Sequence, residues 1–428
     1  VYRKALTALA GICLTLCISS AAAEKPDTTA VRDPKPPPKS VSEILLFVPS
    51  KILQLPFYVL REITRPVVQV AARPGGDSNF FGDVFSSKRT VAPIVSAGSR
   101  SGIVGGLSLN FHNSFTPEDR LRFVLTHSTH DYQRYKIGYR TPHLFSSSKT
   151  SLWMRLVYQN RTRERFFGTG LFRPLSDEIS YRMEKTEFTV DVKSELSSGF
   201  SITFLGGYLK SQVFDGENPN VESRVAVFKS LLSFSDEDVR PSKVWSIGAA
   251  LRHDSRDNLG QPSRGGEELI EAVYHRAPDS SGDVEYVSTR VDLRRYLTVY
   301  DRRILALRVA AESIDRPGDA RPVPFYLLNR LGGQDDLRGF KTDRFADSDL
   351  ALASVEYRYP VWDVVDAFLL LDAGRVFRDI EDDLTLRDWE VAYGFGFRIW
   401  KPEGLTASLS FARSDEETRY YFLFEEGI

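Results

Sequence analysis

The sequence predicts an all-β protein, a 16-stranded antiparallel transmembrane β-barrel with short N-terminal amphipathic helices. Three observations lead to this fold class. The sequence starts with a pattern typical of export, apolar and polar residues alternate with period two from residue 90 onward, and the alternating segments number sixteen. An even number of segments, each about ten residues long with one apolar face, is typical of single-chain barrels that span a membrane.

Residues 1–23 have the pattern of a secretory signal peptide. Two basic residues precede a short apolar run, and the alanines at 21–23 provide a small-residue cleavage site. A membrane anchor is the less favoured alternative, because the apolar run falls short of the roughly 20 residues that a spanning helix needs. Both cysteines of the chain, Cys13 and Cys17, lie in this segment. We therefore expect an exported protein without disulfides.

Two further segments precede the predicted barrel. Residues 24–40 are polar and proline-rich, which predicts an extended linker. In the next segment, 41–89, apolar residues recur at helical spacing as far as residue 71, with prolines between them. This pattern favours short, kinked amphipathic helices in the periplasm, on a membrane face or under a barrel mouth. Helices packed into an ordinary core fit the same periodicity.

Residues 90–428 carry the period-two pattern. In 284–297, for example, Arg290 and Asp292 share one face, while Val287 and Val291 share the other. A soluble sandwich would also alternate, but its strands are usually shorter, near five or six residues. The predicted strands are 90–99, 103–113, 120–128, 131–141, 150–160, 179–192, 199–214, 243–254, 267–276, 284–297, 302–313, 350–359, 365–376, 389–399, 405–413 and 418–426.

The connections between these segments differ in length. The longer ones follow the fifth, seventh and eleventh segments, so all of them belong to one side of the membrane. We expect that side to be the outside, with the tighter turns facing the periplasm.

Charge and composition exclude several classes of function. The chain has 56 basic and 57 acidic residues, so it has no net positive field that would attract nucleic acid. The six histidines are scattered, and no spacing of serine and histidine selects a dyad. We therefore expect no catalytic residues, no metal site and no cofactor, and the partner that the pattern implies is a lipid bilayer.

One short run on the connection between the eleventh and twelfth strands is the most informative motif. It reads Leu337-Arg338-Gly339-Phe340, and Asp372-Ala373-Gly374 lies inside the apolar thirteenth strand. A carboxylate facing lipid at mid-depth would cost a few kcal/mol, so Asp372 and Glu356 are assigned to the lumen. The predicted arrangement is a loop folded into the lumen, where Arg338 bridges both carboxylates and Gly339 permits close backbone approach. An ion pair that merely plugs the pore is an equally acceptable reading.

The two ends of the predicted barrel form a second candidate site, a lateral seam. Tyr420, Phe422 and Phe424 alternate on the last strand, while the first strand contains Pro93, which cannot donate to a ladder, and Gly98. Weak pairing between first and last strands would let the barrel open sideways and accept a client strand by β-augmentation. An ordinary closed barrel with a proline near its rim is the alternative.

The loop run and its partner resemble motifs of the BamA/TamA superfamily of outer-membrane barrels, also called bacterial surface antigens, which insert or secrete proteins. Leucine replaces the usual first residue of both motifs, at Leu337 and Leu370. Further matches end the twelfth strand and occupy the turn after the eighth strand, with a weaker one after the fifth strand. These read Val355-Glu356-Tyr357-Arg358-Tyr359-Pro360, Asp254-Ser255-Arg256-Asp257-Asn258 with Pro262-Ser263-Arg264-Gly265, and Arg165-Phe166-Phe167-Gly168-Thr169-Gly170.

The resemblance implies assembly or secretion of proteins at the bacterial outer membrane, with unfolded outer-membrane or secreted proteins as clients. Family members usually carry periplasmic POTRA domains ahead of the barrel, and the segment between residues 23 and 90 has room for none. We therefore expect a barrel-only member, in which a separate periplasmic partner would replace those domains. A passive pore, a lipid-handling barrel and a surface-exposed structural protein remain the alternatives.

Overall fold

The computed structural model describes residues 89–98, 101–145, 149–171, 173–225, 242–278, 283–300, 302–318, 320–362, 364–385, 387–401 and 404–424. The predicted signal peptide, the linker and the amphipathic segment as far as residue 88 lie outside these ranges.

The prediction of sixteen antiparallel strands is confirmed, since one sheet of sixteen strands runs in chain order. Each predicted segment overlaps one observed strand. The strands are β1 (Arg89–Gly98), β2 (Gly102–His112), β3 (Arg120–Ser128), β4 (Gln133–Thr141), β5 (Thr150–Phe166), β6 (Ile179–Ser197), β7 (Phe200–Asp215), β8 (Ser242–Asp254), β9 (Gly265–Ala277), β10 (Val284–Tyr300), β11 (Arg303–Asp315), β14 (Asp349–Trp362), β15 (Val365–Phe377), β16 (Glu390–Lys401), β17 (Gly404–Arg413) and β18 (Thr418–Phe424).

Two short strands interrupt this order between β11 and β14. They are β12 (Asn329–Leu331) and β13 (Phe345–Asp347), and they pair with each other in a separate ribbon. The twelfth and thirteenth strands of the barrel are therefore β14 and β15. Within the described ranges, short helical turns span Leu175–Asp177, Phe325–Leu327 and Ile380–Asp383. In the described ranges, no helix is long and apolar enough to cross a membrane.

The connections at the two rims of the barrel differ, as the segment lengths predict. The long connections 167–178, 216–241 and 316–348 follow β5, β7 and β11, and they share one rim, here called the long-loop rim. The opposite rim, here called the short-turn rim, carries turns as brief as the one between β6 and β7. β5 extends six residues beyond its predicted end, because polar residues on both faces end the alternation while pairing with β6 continues.

The two faces of the strands have opposite character. Outward-facing apolar side chains are exposed, as at Leu369 (61%) and Leu371 (49%). Asp372 lies on the opposite, inward face of the same strand and is 0% exposed. A large apolar cluster lies inside the barrel. Its members come from the loops after β5 and β11 and from inward positions on the barrel strands, namely Leu171, Ala310, Leu331, Leu337, Phe340, Phe345, Leu350, Leu352, Val376 and Ala392. The long loop thus supplies part of the core.

Candidate functional site

The loop between β11 and β14 folds into the lumen and packs against the wall. Leu337 and Phe340 are both 0% exposed, and they belong to the same apolar cluster as Leu331 of β12 and Leu352 of β14. Arg338 and Gly339 therefore face the wall between two buried apolar anchors. The order of the run places the two residues that make polar contacts between two large apolar residues.

Arg338 forms a bidentate ion pair with Asp372. Its Nε lies 2.7 Å from Asp372 Oδ2, its Nη2 lies 2.7 Å from Oδ1, and its backbone N–H donates to Oδ2 at 3.3 Å. The remaining terminal nitrogen, Nη1, lies 3.3 Å from Glu356 Oε2. The planar guanidinium matches the carboxylate fork, and burial makes such charge-assisted hydrogen bonds strong.

Glu356 is shared among three guanidinium groups. Besides Arg338, Arg358 Nε lies 2.7 Å from its Oε1, and Arg398 of β16 binds both oxygens, with Nη2 2.7 Å from Oε2. The ring of Phe368 lies under the Arg398 guanidinium at 4.2 Å. The sequence analysis named Arg358 only as part of a motif and not as a partner of Glu356, and it missed Arg398. Their inward parity on β14 and β16 was the available signal, but parity does not name the partner.

Gly339 ties the loop to the final hairpin of the barrel. Its N–H donates to the hydroxyl of Tyr421 on β18 at 3.1 Å, and its carbonyl accepts from Ser414 Oγ at 2.9 Å. The backbone is left-handed here, with φ at +91°, and a Cβ at this position would lie 3.0 Å from the Cβ of Ala392. Only glycine meets both conditions without strain. The sequence predicted a close approach here, but not toward the last strand.

A second ion pair joins the loop to the same hairpin. Arg344 is 3% exposed, and its Nη2 lies 2.6 Å from Glu416 Oε1 in the turn between β17 and β18. Its guanidinium also lies 4.8 Å from the ring centres of Phe167 and Phe345. Phe167 belongs to the weakly matching run after β5, and Gly170 in that run forms a β-bridge with Ala346. Two long loops and the final hairpin therefore share one cluster at the long-loop rim.

The turn after β8 is organised by Asp257. Its carboxylate accepts from the backbone N–H groups of Asn258, Ser263 and Arg264 at 3.0, 2.8 and 3.1 Å. Burial acts to raise the pKa of Asp257, but the Ser263 hydroxyl and these backbone donors outweigh it and lower the pKa. The carboxylate is thus the hub that holds the turn closed.

Other residues of this turn set its shape and its contact with the wall. Arg256 binds Asp254 through Nε at 2.9 Å and Nη2 at 2.6 Å, and Pro262 is buried. Gly265 has φ at +86°, and a Cβ there would lie 2.0 Å from the Ser255 carbonyl oxygen. Two inward side chains then converge on Asp366 of β15, whose Oδ2 accepts from Gln261 Nε2 at 2.8 Å and from Trp400 Nε1 at 2.7 Å. The turn therefore reaches a wall several strands away.

The first and last strands form the two edges of the described sheet. β1 pairs with β2, and Pro93 and Gly98 lie opposite Leu107 and Gly102. β18 pairs with β17, and no ladder joins it to β1 among the strands that the structure describes. On β18, Tyr420 and Phe422 point outward at 69% and 67% exposure. Phe424 pairs with Ala407 through the backbone.

Comparison with known proteins agrees with this architecture. The sequence profile described as the Omp85 superfamily domain matches residues 113–427, which is more than half of the chain. The fold is similar to that of BamA from Haemophilus ducreyi lacking POTRA domains 1–3, with a TM-score of 0.59, 16% identity, and coverage of 79% of this chain and 70% of that one. It is also similar to CdiB from Escherichia coli, with a TM-score of 0.50, 15% identity and coverage of 79% and 62%.

This chain therefore spans less than two thirds of that CdiB chain. At these identities the likeness is one of fold alone. The sequence matches none of the curated proteins that were compared with it.

Proposed function

The chain belongs to the Omp85 superfamily, and on this basis we propose that it inserts or translocates proteins at the bacterial outer membrane. Its clients are unfolded outer-membrane or secreted proteins, and it acts on them through backbone pairing rather than covalent chemistry. The observation that carries the proposal is the attachment of the lumen loop to the final hairpin, whose outer edge has no partner strand among the described residues.

An unpaired sheet edge is a template for another strand. Its free N–H and C=O groups can pair with an extended client, and the alternating side chains then sort to lipid and lumen. The outward aromatic residues Tyr420 and Phe422 suit the lipid side of this edge. Pro93 on the opposite edge lacks a donor, which weakens closure against β18.

The ion pairs and hydrogen bonds of the loop determine which side of the seam moves. Arg338 joins the loop to β14 and β15, while Gly339 and Arg344 join it to the hairpin of β17 and β18. Strands β14 to β18 and the loop therefore act as one block. Opening then consists of β1 and the strands beside it separating from β18. In this proposal a periplasmic partner delivers clients to the short-turn rim.

The packed loop also bears on the passive-pore alternative. A wide pore needs an open lumen, whereas the apolar cluster built on Leu337 and Phe340 occupies part of it. The turn after β8 makes a further contact across the short-turn rim, through Gln261 and Asp366. Both features favour a barrel that works at its seam.

A site-specific photo-crosslinking experiment tests the proposal. The photoreactive residue replaces Tyr420 on the edge strand, or Tyr393 on β16, which is also outward-facing but lies between paired strands. Vesicles containing the full chain are then given a purified, unfolded outer-membrane barrel protein. Crosslinks are expected from position 420 and not from position 393.

Depletion of the protein in its own cell gives an independent readout. Selective loss of barrel proteins from the outer membrane is the expected result. An intact outer-membrane proteome with altered permeability, together with equal crosslinking from both positions, would show a passive pore and contradict the proposal.

A further inference from the structure

A cavity of about 580 Å³ lies inside the barrel, and neither Arg338 nor Asp372 lines it. Its wall comes from β1 to β5, and Thr342 of the long loop contributes on the other side. Among the described residues, four cationic side chains line it against a single carboxylate, that of Glu164. The cationic residues are Arg122, Arg134, Lys136 and Arg161. The cavity volume falls within the range of small-molecule sites, about 300 to 1,000 Å³.

Among the described residues, acidic side chains neutralise only part of this positive charge. Arg161 lies 3.7 Å from Glu164, and Arg122 Nε donates only to the neutral Ser108 hydroxyl, at 3.0 Å. Within the described part of the chain, neither Arg134 nor Lys136 has a carboxylate within 4.0 Å.

Several other inward arginines of the same barrel are paired with acids. Arg155 lies 2.9 Å from Asp191, and Arg308 lies 2.9 Å from Asp292. The excess of cations is therefore a local property of this cavity. Bringing like charges together costs free energy unless an anion accompanies them.

A buried amide points to the same place. Gln159 lies directly opposite Arg134 in the register of β4 and β5, lines the cavity and is 6% exposed. Its Oε1 accepts no hydrogen bond within the described structure. Buried polar groups are nearly always satisfied. An anion cannot donate to this oxygen, but a half-turn of the amide places its NH2 group at the same position, where it donates to an anionic ligand.

We propose that this cavity binds an oligophosphate, meaning two or more linked phosphate groups, whether soluble or carried by a lipid headgroup. The guanidinium group of arginine binds two phosphate oxygens in bidentate geometry, and the ammonium group of lysine adds a point charge. Arg134 and Lys136 are two residues apart on one strand, roughly 7 Å, and Arg122 and Arg161 lie on the neighbouring strands β3 and β5, so linked phosphates contact more of the four cations than a single phosphate does. This site is separate from the seam and goes beyond the proposed function.

A peptide is the less suitable occupant. Strands β2, β3 and β4 are hydrogen-bonded to neighbours on both sides, so the cavity wall offers few free backbone groups to hold an extended chain. Recognition therefore falls to side-chain charge. A phosphate places up to two negative charges on one tetrahedral group, whereas a carboxylate places one.

Calorimetry on the full chain in phosphatidylcholine vesicles tests the site, with sodium tripolyphosphate as the probe. We expect saturable binding at one site per chain, weakened by high salt. The double variant Arg134→Gln with Lys136→Gln should bind at least tenfold more weakly. The matched control is Arg140→Gln, on the same face of β4 but outside the cavity, which should change the affinity less than twofold.

Two companion measurements keep the test decisive. Inorganic phosphate alone should bind at least tenfold more weakly than tripolyphosphate, and the emission of Trp153, whose ring lies 5.9 Å from Lys136 Nζ, should shift on binding. Folding of each variant is judged by its electrophoretic mobility without prior heating. If the double variant does not fold, the single variant Lys136→Gln replaces it in the binding measurement.

The outcomes separate cleanly. The next comparison uses vesicles that contain a lipid with a diphosphate headgroup and vesicles of equal charge that contain phosphatidylglycerol. A lower apparent affinity for tripolyphosphate in the first identifies a lipid phosphate as the natural source, and equal affinity identifies a soluble one. No heat with tripolyphosphate, equal binding of inorganic phosphate, or an equal loss in Arg140→Gln would overturn the proposal. None of these results depends on insertion activity.

Discussion

The guanidinium of Arg338 and the carboxylate of Asp372 form an ion pair with both N–O distances at 2.7 Å, although 34 residues separate them in the chain. Asp372 is 0% exposed, so its charge is stable there only because Arg338 reaches it. The pair joins a loop to a wall strand. It therefore connects the position of the loop to the stability of the barrel.

Replacing Arg338 with alanine should destabilise the barrel by about 3–5 kcal/mol, because it leaves a buried carboxylate without its partner. The free energy of unfolding in urea measures this, and protease cleavage within 316–348 reports release of the loop. Arg338→Lys should be intermediate, since an ammonium cannot form the fork. Arg375→Ala is the control, because the hydrogen-bond partners of Arg375 among the described residues are neutral oxygens of Thr385 and Arg387. Unchanged stability and loop protection in Arg338→Ala would refute the anchoring role.

Alanine substitutions at two glycines with nearly the same φ distinguish the cost of backbone strain from the cost of steric crowding. Gly339 has φ at +91° and Gly170 has φ at +90°, but a Cβ at Gly339 would crowd Ala392 and Arg413, whereas one at Gly170 would meet nothing within 4 Å. Both alanine variants should lose about 1–2 kcal/mol from the left-handed conformation. Gly339→Ala should lose about 1–3 kcal/mol more from overpacking. Equal unfolding free energies for the two variants would show that the close approach does not matter.

Tyr421→Phe should loosen the final hairpin from the loop. The hydroxyl accepts from the Gly339 N–H at 3.1 Å and donates to the Phe340 carbonyl at 3.4 Å, so its removal leaves a buried donor unsatisfied, at about 1–3 kcal/mol. Hydrogen exchange of β17, β18 and the loop should accelerate together. Tyr420→Phe changes the adjacent, outward-facing ring and should leave exchange unaltered. Faster exchange in the loop alone would mean that the block proposed for β14 to β18 does not exist.

The final hairpin also depends on Arg344 and Glu416. Single neutral substitutions, Arg344→Gln and Glu416→Gln, should each destabilise, and the double variant should show a coupling energy of about 1–3 kcal/mol, because the arginine is 3% exposed and the pair is close. The exposed pair of Arg224 and Glu222, 3.1 Å apart, is the control and should show little coupling. A coupling energy as small as that of the control would place Arg344 in the apolar packing alone.

The strands could be predicted from the sequence for a definite reason. Lipid on one side and a polar lumen on the other force alternation, so Leu369 and Leu371 mark the outside and Asp372 the inside with no knowledge of neighbours. The loop motif stood out for the same reason, since a carboxylate within an apolar strand needs a cation. The short ribbon of β12 and β13 could not be predicted, because three residues are too few to show a period.

The residues that contact each other across the lumen could not be predicted from the sequence either. Alternation says which face a side chain occupies, but not which distant residue it meets. Tyr421 and Ser414 therefore gave no signal that they hold Gly339, and Asp366 gave none that it receives Gln261 from the turn after β8. These contacts depend on the curvature of the sheet and the stagger of its strands, which set the distances across the lumen.

The turn after β8 should open in acid. The pKa of Asp257 is lowered in the folded protein, because backbone and hydroxyl donors stabilise its charge more than burial opposes it. A group with a lowered pKa contributes its full stability above its unfolded pKa, about 3.9, and loses that contribution as the pH falls through the folded value. Hydrogen exchange of residues 255–264, corrected for the intrinsic rate at each pH, should therefore be slow near neutrality and should accelerate below about pH 4. Asp257→Asn cannot titrate, so its turn should exchange faster at neutral pH and show no such step. Parallel acceleration in both proteins would assign the acid response to another group, of which Asp254 is the nearest candidate through its bonds to Arg256.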